Sequence, residues 1–444
     1  MNIFQEFDTI AAIATPIGTG GVGIIRISGE KSFEITDKIY SKHNLEAGKI
    51  SYGKIKDSGK IIDEVLVLPF RKPHSYTGED VIEIHCHGGI NVVKNILDLV
   101  LNNGARIAER GEFTKRAFLN KKMDLSQAEA VADLIHAKTK DFAKYSAKNL
   151  SGVLGLKIKE IREDLFNVLS KIIAGIDFPD EVAEPEYDFL IEEFEKAINK
   201  INNILASADS SNIMRQGIKV AIVGRPNVGK SSLFNTILNI ERAIVTDIEG
   251  TTRDILKETL DWDIPVTLID TAGIRDGINV GKVEEIGIEY SKQSVEEADL
   301  ILFLYDAKTG ITNEDKEILN LIKNKKYIII ANKADLIKTR SDNILYLSTI
   351  TKEGLNALKD KIKNTAYNFS FEDTEFITNN RQQDCLRKCK ESLTLSLNAA
   401  KNRELQDLIS IDLKTALLCL DEITGEVITD EILNNIFDHF CIGK

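Results

Sequence analysis

The run Gly224-Arg225-Pro226-Asn227-Val228-Gly229-Lys230-Ser231 follows the apolar stretch Lys219-Val220-Ala221-Ile222-Val223. Apolar strand, glycine turn and helix start in that order are the phosphate-binding pattern GxxxxGKS in its structural context. The glycines let backbone N–H groups curl around a β-phosphate. Lys230 supplies a point charge to the β- and γ-phosphates, and the Ser231 hydroxyl is placed for Mg²⁺. The contacts expected of this loop run through Asn227, Val228, Gly229, Lys230, Ser231 and Ser232. Three further segments follow in the right order, so the chain is expected to bind and hydrolyse a nucleoside triphosphate.

Those segments identify the nucleotide. Leu268-Ile269-Asp270-Thr271-Ala272-Gly273 is a strand running into DxxG, where Asp270 can hold Mg²⁺ and the Gly273 N–H can sense a γ-phosphate. Tyr327-Ile328-Ile329-Ile330-Ala331 leads into Asn332-Lys333-Ala334-Asp335, the NKxD pattern. The Asp335 carboxylate only accepts, and guanine offers it two adjacent donors. Adenine would leave that carboxylate unpaired, at a cost of roughly 10⁴-fold in discrimination. The nucleotide implied is GTP. Many GTPases carry a water-orienting Gln directly after DxxG, but here that position is Ile274. Asn227 is one substitute: its amide oxygen can bind a monovalent cation beside the β/γ bridge, placing positive charge where an arginine finger otherwise acts. A turn-stabilising Asx role is the other reading of Asn227. The segment Val245-Thr246-Asp247-Ile248-Glu249-Gly250-Thr251-Thr252-Arg253-Asp254 would give carbonyls to that ion and a Thr hydroxyl, Thr252 in preference, to Mg²⁺.

The 444 residues allow two or three domains. No basic-then-apolar leader opens the chain and no window approaches a membrane span, so a cytoplasmic protein is expected. Five scattered cysteines without a CxxC pair agree with a reducing compartment, and a net charge of −12 argues against broad nucleic-acid binding by the surface.

Residues 1–119 read as α/β, with β-rich runs at 9–14, 22–27, 64–69 and 81–85 and a helix near 91–102. Helical signal fills 120–215, opening on Ser126-Gln127-Ala128-Glu129 as a capping box. Residues 216–377 alternate strands and helices as a Ras-like doubly wound parallel sheet does, with a guanine-edge loop at Leu347-Ser348-Thr349-Ile350. Residues 378–444 are helical again, so the GTPase module reads as an insertion into one discontinuous helical domain.

The remaining chemistry lies at the ends. His85-Cys86-His87 suggests a metal, but on a strand Cys86 faces away from both histidines and no fourth ligand is in view. Cys385 and Cys389, at i and i+4 on a helix, read as packed thiols. Cys441, beside Lys444 in the terminal Cys441-Ile442-Gly443-Lys444, reads either as a nucleophile or as an inert helix-end cysteine. Gly443 and Lys444 fit a prenylation signal badly.

From end to end the chain resembles the tRNA modification GTPases called MnmE or TrmE. The resemblance rests on ATPIGTGGVGIIRISG at 14–29, SYTGEDVIEIHCHGG at 75–89, RGEFTKRAFLNKKMDLSQAEAVADLI at 110–135 and IDFPDE at 176–181. It rests also on GRPNVGKSS, DIEGTTRD, DTAGIR, NKAD, EITGE at 422–426 and the terminal CIGK. The resemblance implies an N-terminal tetrahydrofolate-binding domain that dimerises, a split helical domain and an inserted G domain. It implies that a homodimer works with the flavoprotein MnmG, which brings FAD and NADH, in a heterotetramer or larger complex. The product is an aminomethyl-type group on C5 of the wobble uridine of certain tRNAs, its one-carbon unit drawn from 5,10-methylene- or 5-formyl-tetrahydrofolate.

By the same resemblance, Arg26, Glu83, Lys122 and Lys444 contact the folate, a carboxylate suiting pterin N–H donors and cations its glutamate tail. Cys441 matches the family's C-terminal cysteine. K⁺ falls to Asn227, Thr246, Ile248 and Thr251, and Mg²⁺ to Ser231 and Thr252. Glu284, with Glu285 as the alternative in Val283-Glu284-Glu285, positions water in place of the missing Gln. Thr349 stands where alanine is usual, a small change because its backbone N–H does the work. Two other readings compete: a ribosome-assembly GTPase, which predicts a basic RNA-binding domain that this sequence lacks, and a folate protein with a dispensable GTPase.

Overall fold

The computed structural model describes residues 8–206, 208–240, 257–262, 264–270, 295–341, 344–366 and 378–444. They divide into two compact units, one of 1–132, 149–198 and 385–444, the other of 133–148 and 199–384.

The first unit is built on a six-stranded sheet. Its strands are β1 (Ile10–Ile13), β2 (Val22–Ser28), β3 (Ser51–Asp57), β4 (Lys60–Phe70), β5 (Val81–His87) and β6 (Arg106–Ile107), in the order β3-β4-β5-β2-β1-β6. Every pairing is antiparallel except β1 with β6. Alternation decides the faces. Ile25, Ile27, Ile82 and Ile84 join the buried cluster that includes Ile35 and Ile39 of helix Ser32–Ile39 and Val93, Ile96 and Val100 of helix Ile90–Asn102. The intervening residues of β2 and β5, among them Arg26, Glu83 and His85, lie on the other face, where Ile10, Ala12 and Phe113 are buried. Helix Val153–Asp177 packs on helix Gln406–Thr424, with Arg162 bound to Asp421.

Ser126 does not begin its helix. The helix spans Leu125–Ile135, and the cap is Asp124: its Oδ1 accepts from the Gln127 amide at 3.0 Å, and Gln127 Oε1 accepts from the Asp124 amide at 3.0 Å. Asp124 thus takes the reciprocal bonds expected of Ser126 and Glu129, and the Ser126 hydroxyl donates to Asp124 Oδ1.

The second unit carries β7 (Ile218–Val223), β8 (Lys257–Asp261), β9 (Pro265–Asp270), β10 (Leu300–Asp306), β11 (Lys326–Asn332) and β12 (Leu345–Tyr346), in the order β12-β11-β10-β7-β9-β8. All pairings are parallel except β8 with β9. Unbroken apolar runs such as LILFLY in β10 follow from burial on both faces, and two separate clusters cover them. This is a Ras-like doubly wound sheet. Chain order reverses between β7 and β10, the switch point at which such sheets bind ligands beyond their carboxyl edge. No described helix is long and apolar enough to cross a membrane.

Candidate functional site

Parallel register gathers the nucleotide residues at one edge. Val223 pairs with Phe303, Ile222 with Asp270, and Asp306 with Asn332, so the strands deliver the phosphate loop, DxxG and NKxD together. The loop turns through Asn227 at φ +63° and Gly229 at φ +100° into helix Lys230–Ile240, whose first turn holds Ser231 and Ser232. Val228 is buried beneath it. Lys230 Nζ rests on the carbonyls of Gly224 (2.8 Å) and Arg225 (3.0 Å), a cation held by neutral oxygens that anionic phosphates would outbid.

Asn332 joins the guanine turn to the loop, its Nδ2 donating to the Val228 carbonyl at 2.8 Å. A Cβ at Gly229 would lie 2.3 Å from that Nδ2, so only glycine permits the bridge. Asn332 is fully buried, and among the described residues its Oδ1 has no hydrogen-bond partner, the kind of orphan that a bound polar ligand satisfies. Lys333, at φ +62°, donates to Asp306 Oδ2 at 2.7 Å. Burial pushes the Asp306 carboxyl up, but the bond from Lys333 and the Lys308 amide outweigh it and leave its pKa lowered. Asp335 Oδ1 accepts from the Ser348 hydroxyl at 2.6 Å, and the Ala334 amide donates to the Leu347 carbonyl at 3.0 Å. The guanine-edge loop and NKxD are thereby one unit. Asp270 ends β9, its side chain outside the described part. Thr246, Asp247, Ile248, Glu249, Gly250, Thr251, Thr252, Thr271, Ala272, Gly273 and Glu284 lie outside the described residues.

A second constellation sits on the face of the first sheet opposite its two packed helices. Arg26 and Glu83 are register partners on β2 and β5, and Arg26 Nε donates to Glu83 Oε1 at 2.9 Å. His85, two residues along β5, lies 3.4 Å from the other carboxylate oxygen. The Arg26 guanidinium carbon is 5.2 Å from the centre of the Tyr76 ring and 5.6 Å from that of Phe113, an aromatic clasp worth on the order of 1 kcal/mol per ring.

The C-terminal tail crosses this site. Arg26 Nη1 donates to the Gly443 carbonyl at 3.3 Å, Ile442 bridges to Arg110, and the Gly111 amide reaches the Cys441 carbonyl at 3.4 Å. Lys444 ends half-buried within electrostatic reach of Arg26 and Glu83, and burial, aided by Arg26, lowers its pKa. Cys441 is exposed. Arg26, Glu83, Lys444 and Cys441 therefore meet in one place. Lys122 does not join them: its Nζ donates to the Pro73 carbonyl at 2.9 Å. Acceptor, cations and aromatic faces side by side fit the donors, acid tail and ring of a folate. Sequence reasoning assigns no site role to Tyr76, Phe113 or Gly443. The parity of Arg26, Glu83 and His85 on paired strands was the available signal for the face.

Residues 125–441 match the family model of the MnmE helical domain, and residues 9–122 that of the GTP-binding protein TrmE N-terminus. The chain belongs to the MnmE family of tRNA modification GTPases. Relatives in that family match along their whole length. The tRNA modification GTPase MnmE of Thermoanaerobacter pseudethanolicus is 45% identical over 460 residues, covering 99% of this chain and 100% of that protein. Its namesake in Caldicellulosiruptor saccharolyticus is 46% identical over 459 residues, covering 99% and 100%. The MnmE of Clostridioides difficile is 44% identical over 458 residues, covering 98% and 99%.

Proposed function

We propose that this chain is a K⁺-activated GTPase that works with an MnmG-type flavoprotein on certain tRNAs. Together they convert C5 of the wobble uridine (position 34) to a carboxymethylaminomethyl- or aminomethyl-type group, with a one-carbon unit from a reduced folate. The observation that carries the reading is that one chain holds both a guanine-reading phosphate site and, under its own C-terminal tail, a carboxylate and two cations suited to a folate. The proposed organisation is a folate-binding, dimerising domain at 1–119, a helical domain in two parts at 120–215 and 378–444, and a GTPase domain at 216–377.

In the GTPase domain, Asp335 accepts from guanine, Asn332 ties base turn to loop, and Lys230 transfers from its carbonyls to the phosphates. Ser231 and Thr252 would hold Mg²⁺, and Asn227, Thr246, Ile248 and Thr251 would hold K⁺. Those ions supply positive charge to the phosphate oxygens where charge develops. Glu284 positions water. At the tail, Glu83 accepts from the pterin, Arg26 and Lys444 take the anionic part, and Cys441 stands at the rim. The folate supplies the one-carbon unit. The cytoplasm, where tRNA, reduced folate and GTP meet, is the proposed location.

The test is reconstitution from purified chain, flavoprotein partner with FAD and NADH, reduced folate, glycine or ammonium as the amine donor, GTP and unmodified tRNA, with nucleosides analysed by mass spectrometry. A C5 mass gain on uridine 34 that disappears without GTP or without folate is expected. An unmodified uridine in the complete mixture contradicts the reading.

A further inference from the structure

The phosphate loop is braced by a carboxylate that takes no part in nucleotide chemistry. Asp315 lies in the first turn of helix Asn313–Ile322 and is fully buried. Its Oδ2 caps the helix, accepting from the Thr312 amide at 2.9 Å and the Thr312 hydroxyl at 3.0 Å. Capping consumes one oxygen. The other, Oδ1, accepts from Arg225 Nε at 2.9 Å, and Arg225 is the second residue of the phosphate loop. Glu314, 3.9 Å from Arg225 Nη1, adds a weaker exposed partner.

The backbone of the same residue has its own task, because the Arg225 carbonyl holds Lys230 Nζ at 3.0 Å. The peptide on which the phosphate-binding lysine rests is therefore pinned through its side chain to a helix 90 positions downstream. A helix cap alone explains neither the second oxygen nor the direction of the guanidinium, which is turned to Asp315.

We propose that Arg225 is a positioning residue for GTP binding, with Asp315 as its anchor. The pair holds the loop in its nucleotide-receiving curvature before nucleotide arrives, so that ligand binding does not have to order it. This rests on the GTPase reading and adds to it a fixed cost of loop ordering, removed in advance by a buried ion pair.

The experiment is binding of fluorescent GDP and steady-state GTP turnover by the full chain and four variants. In Arg225→Ala the dissociation constant for GDP and the KM for GTP rise together by about tenfold, as expected when the competent loop becomes a minor state. Turnover at saturating GTP moves far less. Arg225→Lys, which keeps a cation at Asp315, recovers most of the affinity. Asp315→Asn retains a cap acceptor and weakens binding as Arg225→Ala does, and the double variant is no worse than either single one. An Arg225→Ala protein that binds GDP like wild type but melts earlier overturns the proposal, leaving a strut for stability only. So does lost turnover at saturating GTP with unchanged affinity, which would make Arg225 catalytic. Failure of the wild-type chain to bind GDP would instead remove the GTPase reading beneath both.

Discussion

Arg26 Nη1 donates to the carbonyl of Gly443 across 417 residues of sequence, so the end of the chain forms part of the site built on its second strand. Gly443 sits at φ +96°, and a Cβ there would lie 2.2 Å from the Ile13 carbonyl oxygen. Gly443→Ala therefore strains the tail by roughly 1–3 kcal/mol and lifts it from β1. Equilibrium dialysis with labelled 5-formyl-tetrahydrofolate should show affinity reduced by about tenfold or more, that strain being worth at least one decade at its midpoint. GTP turnover by the same preparation should match wild type. Unchanged folate binding would separate the tail from the site.

Asp8 and Glu112 set an acid limit for the N-terminal unit. The bond from Arg106, at 2.8 Å, lowers the Asp8 pKa. Burial raises that of Glu112, but Arg106, the Glu109 amide and Arg116 outweigh it, and the net shift is again downward. Folded carboxyls below their unfolded values add stability that is complete above the ordinary range of about 4 and disappears as pH falls through the folded values. Urea midpoints followed downward from about pH 5 should decline, and Arg106→Gln should flatten the decline. Equal slopes in the two proteins would discharge Arg106 from this role.

The cysteines should separate by reactivity. Burial pushes the Cys86 thiol up to about 11, and it raises Cys389 and Cys419 as well. Cys385 is buried, while Cys441 is exposed. Brief iodoacetamide treatment of the native protein near pH 8, read by peptide mass spectrometry, should place the label first on Cys441. Early labelling of Cys86 or Cys389 would contradict the burial that governs them.

Much of this was legible in the sequence, in proportion to how local each signal is. The strand, loop and helix at 218–240 and the turn after β11 follow from apolar runs broken by glycine and NKAD, because residues adjacent in sequence make them. β3, Ser51–Asp57, is mostly polar with two of its seven residues buried, so its alternation gave no strand signal. The cap lies two residues before Ser126 because Asp124 and Gln127, a second acceptor pair at the same three-residue spacing, close the reciprocal bonds there first. The clasp around Arg26 and the docking of Gly443 join positions hundreds of residues apart, and no window of sequence contains them.

Asn227, at φ +63° and exposed in the phosphate loop, is the described member of the proposed K⁺ site. GTP turnover in KCl should exceed that in NaCl at matched ionic strength. Asn227→Ala should abolish the difference between salts while leaving GDP bound. Equal rates in both salts would sink the cation assignment.

Nucleotide choice tests the central claim, a guanine-specific triphosphatase site, most directly. Asp335 is held by Ser348 with its carboxylate as the acceptor, and the account requires that acceptor to read the guanine N1–H and 2-amino donors. Turnover of GTP, ATP and xanthosine triphosphate should be compared in wild type and Asp335→Asn. Wild type should prefer GTP over ATP by roughly 10⁴-fold in kcat/KM. The amide of the variant offers a donor to the 2-oxo group of xanthine, so preference should move from GTP to xanthosine triphosphate. A wild-type chain that turns over ATP as well as GTP, or a variant that keeps its preference for GTP, would contradict the account.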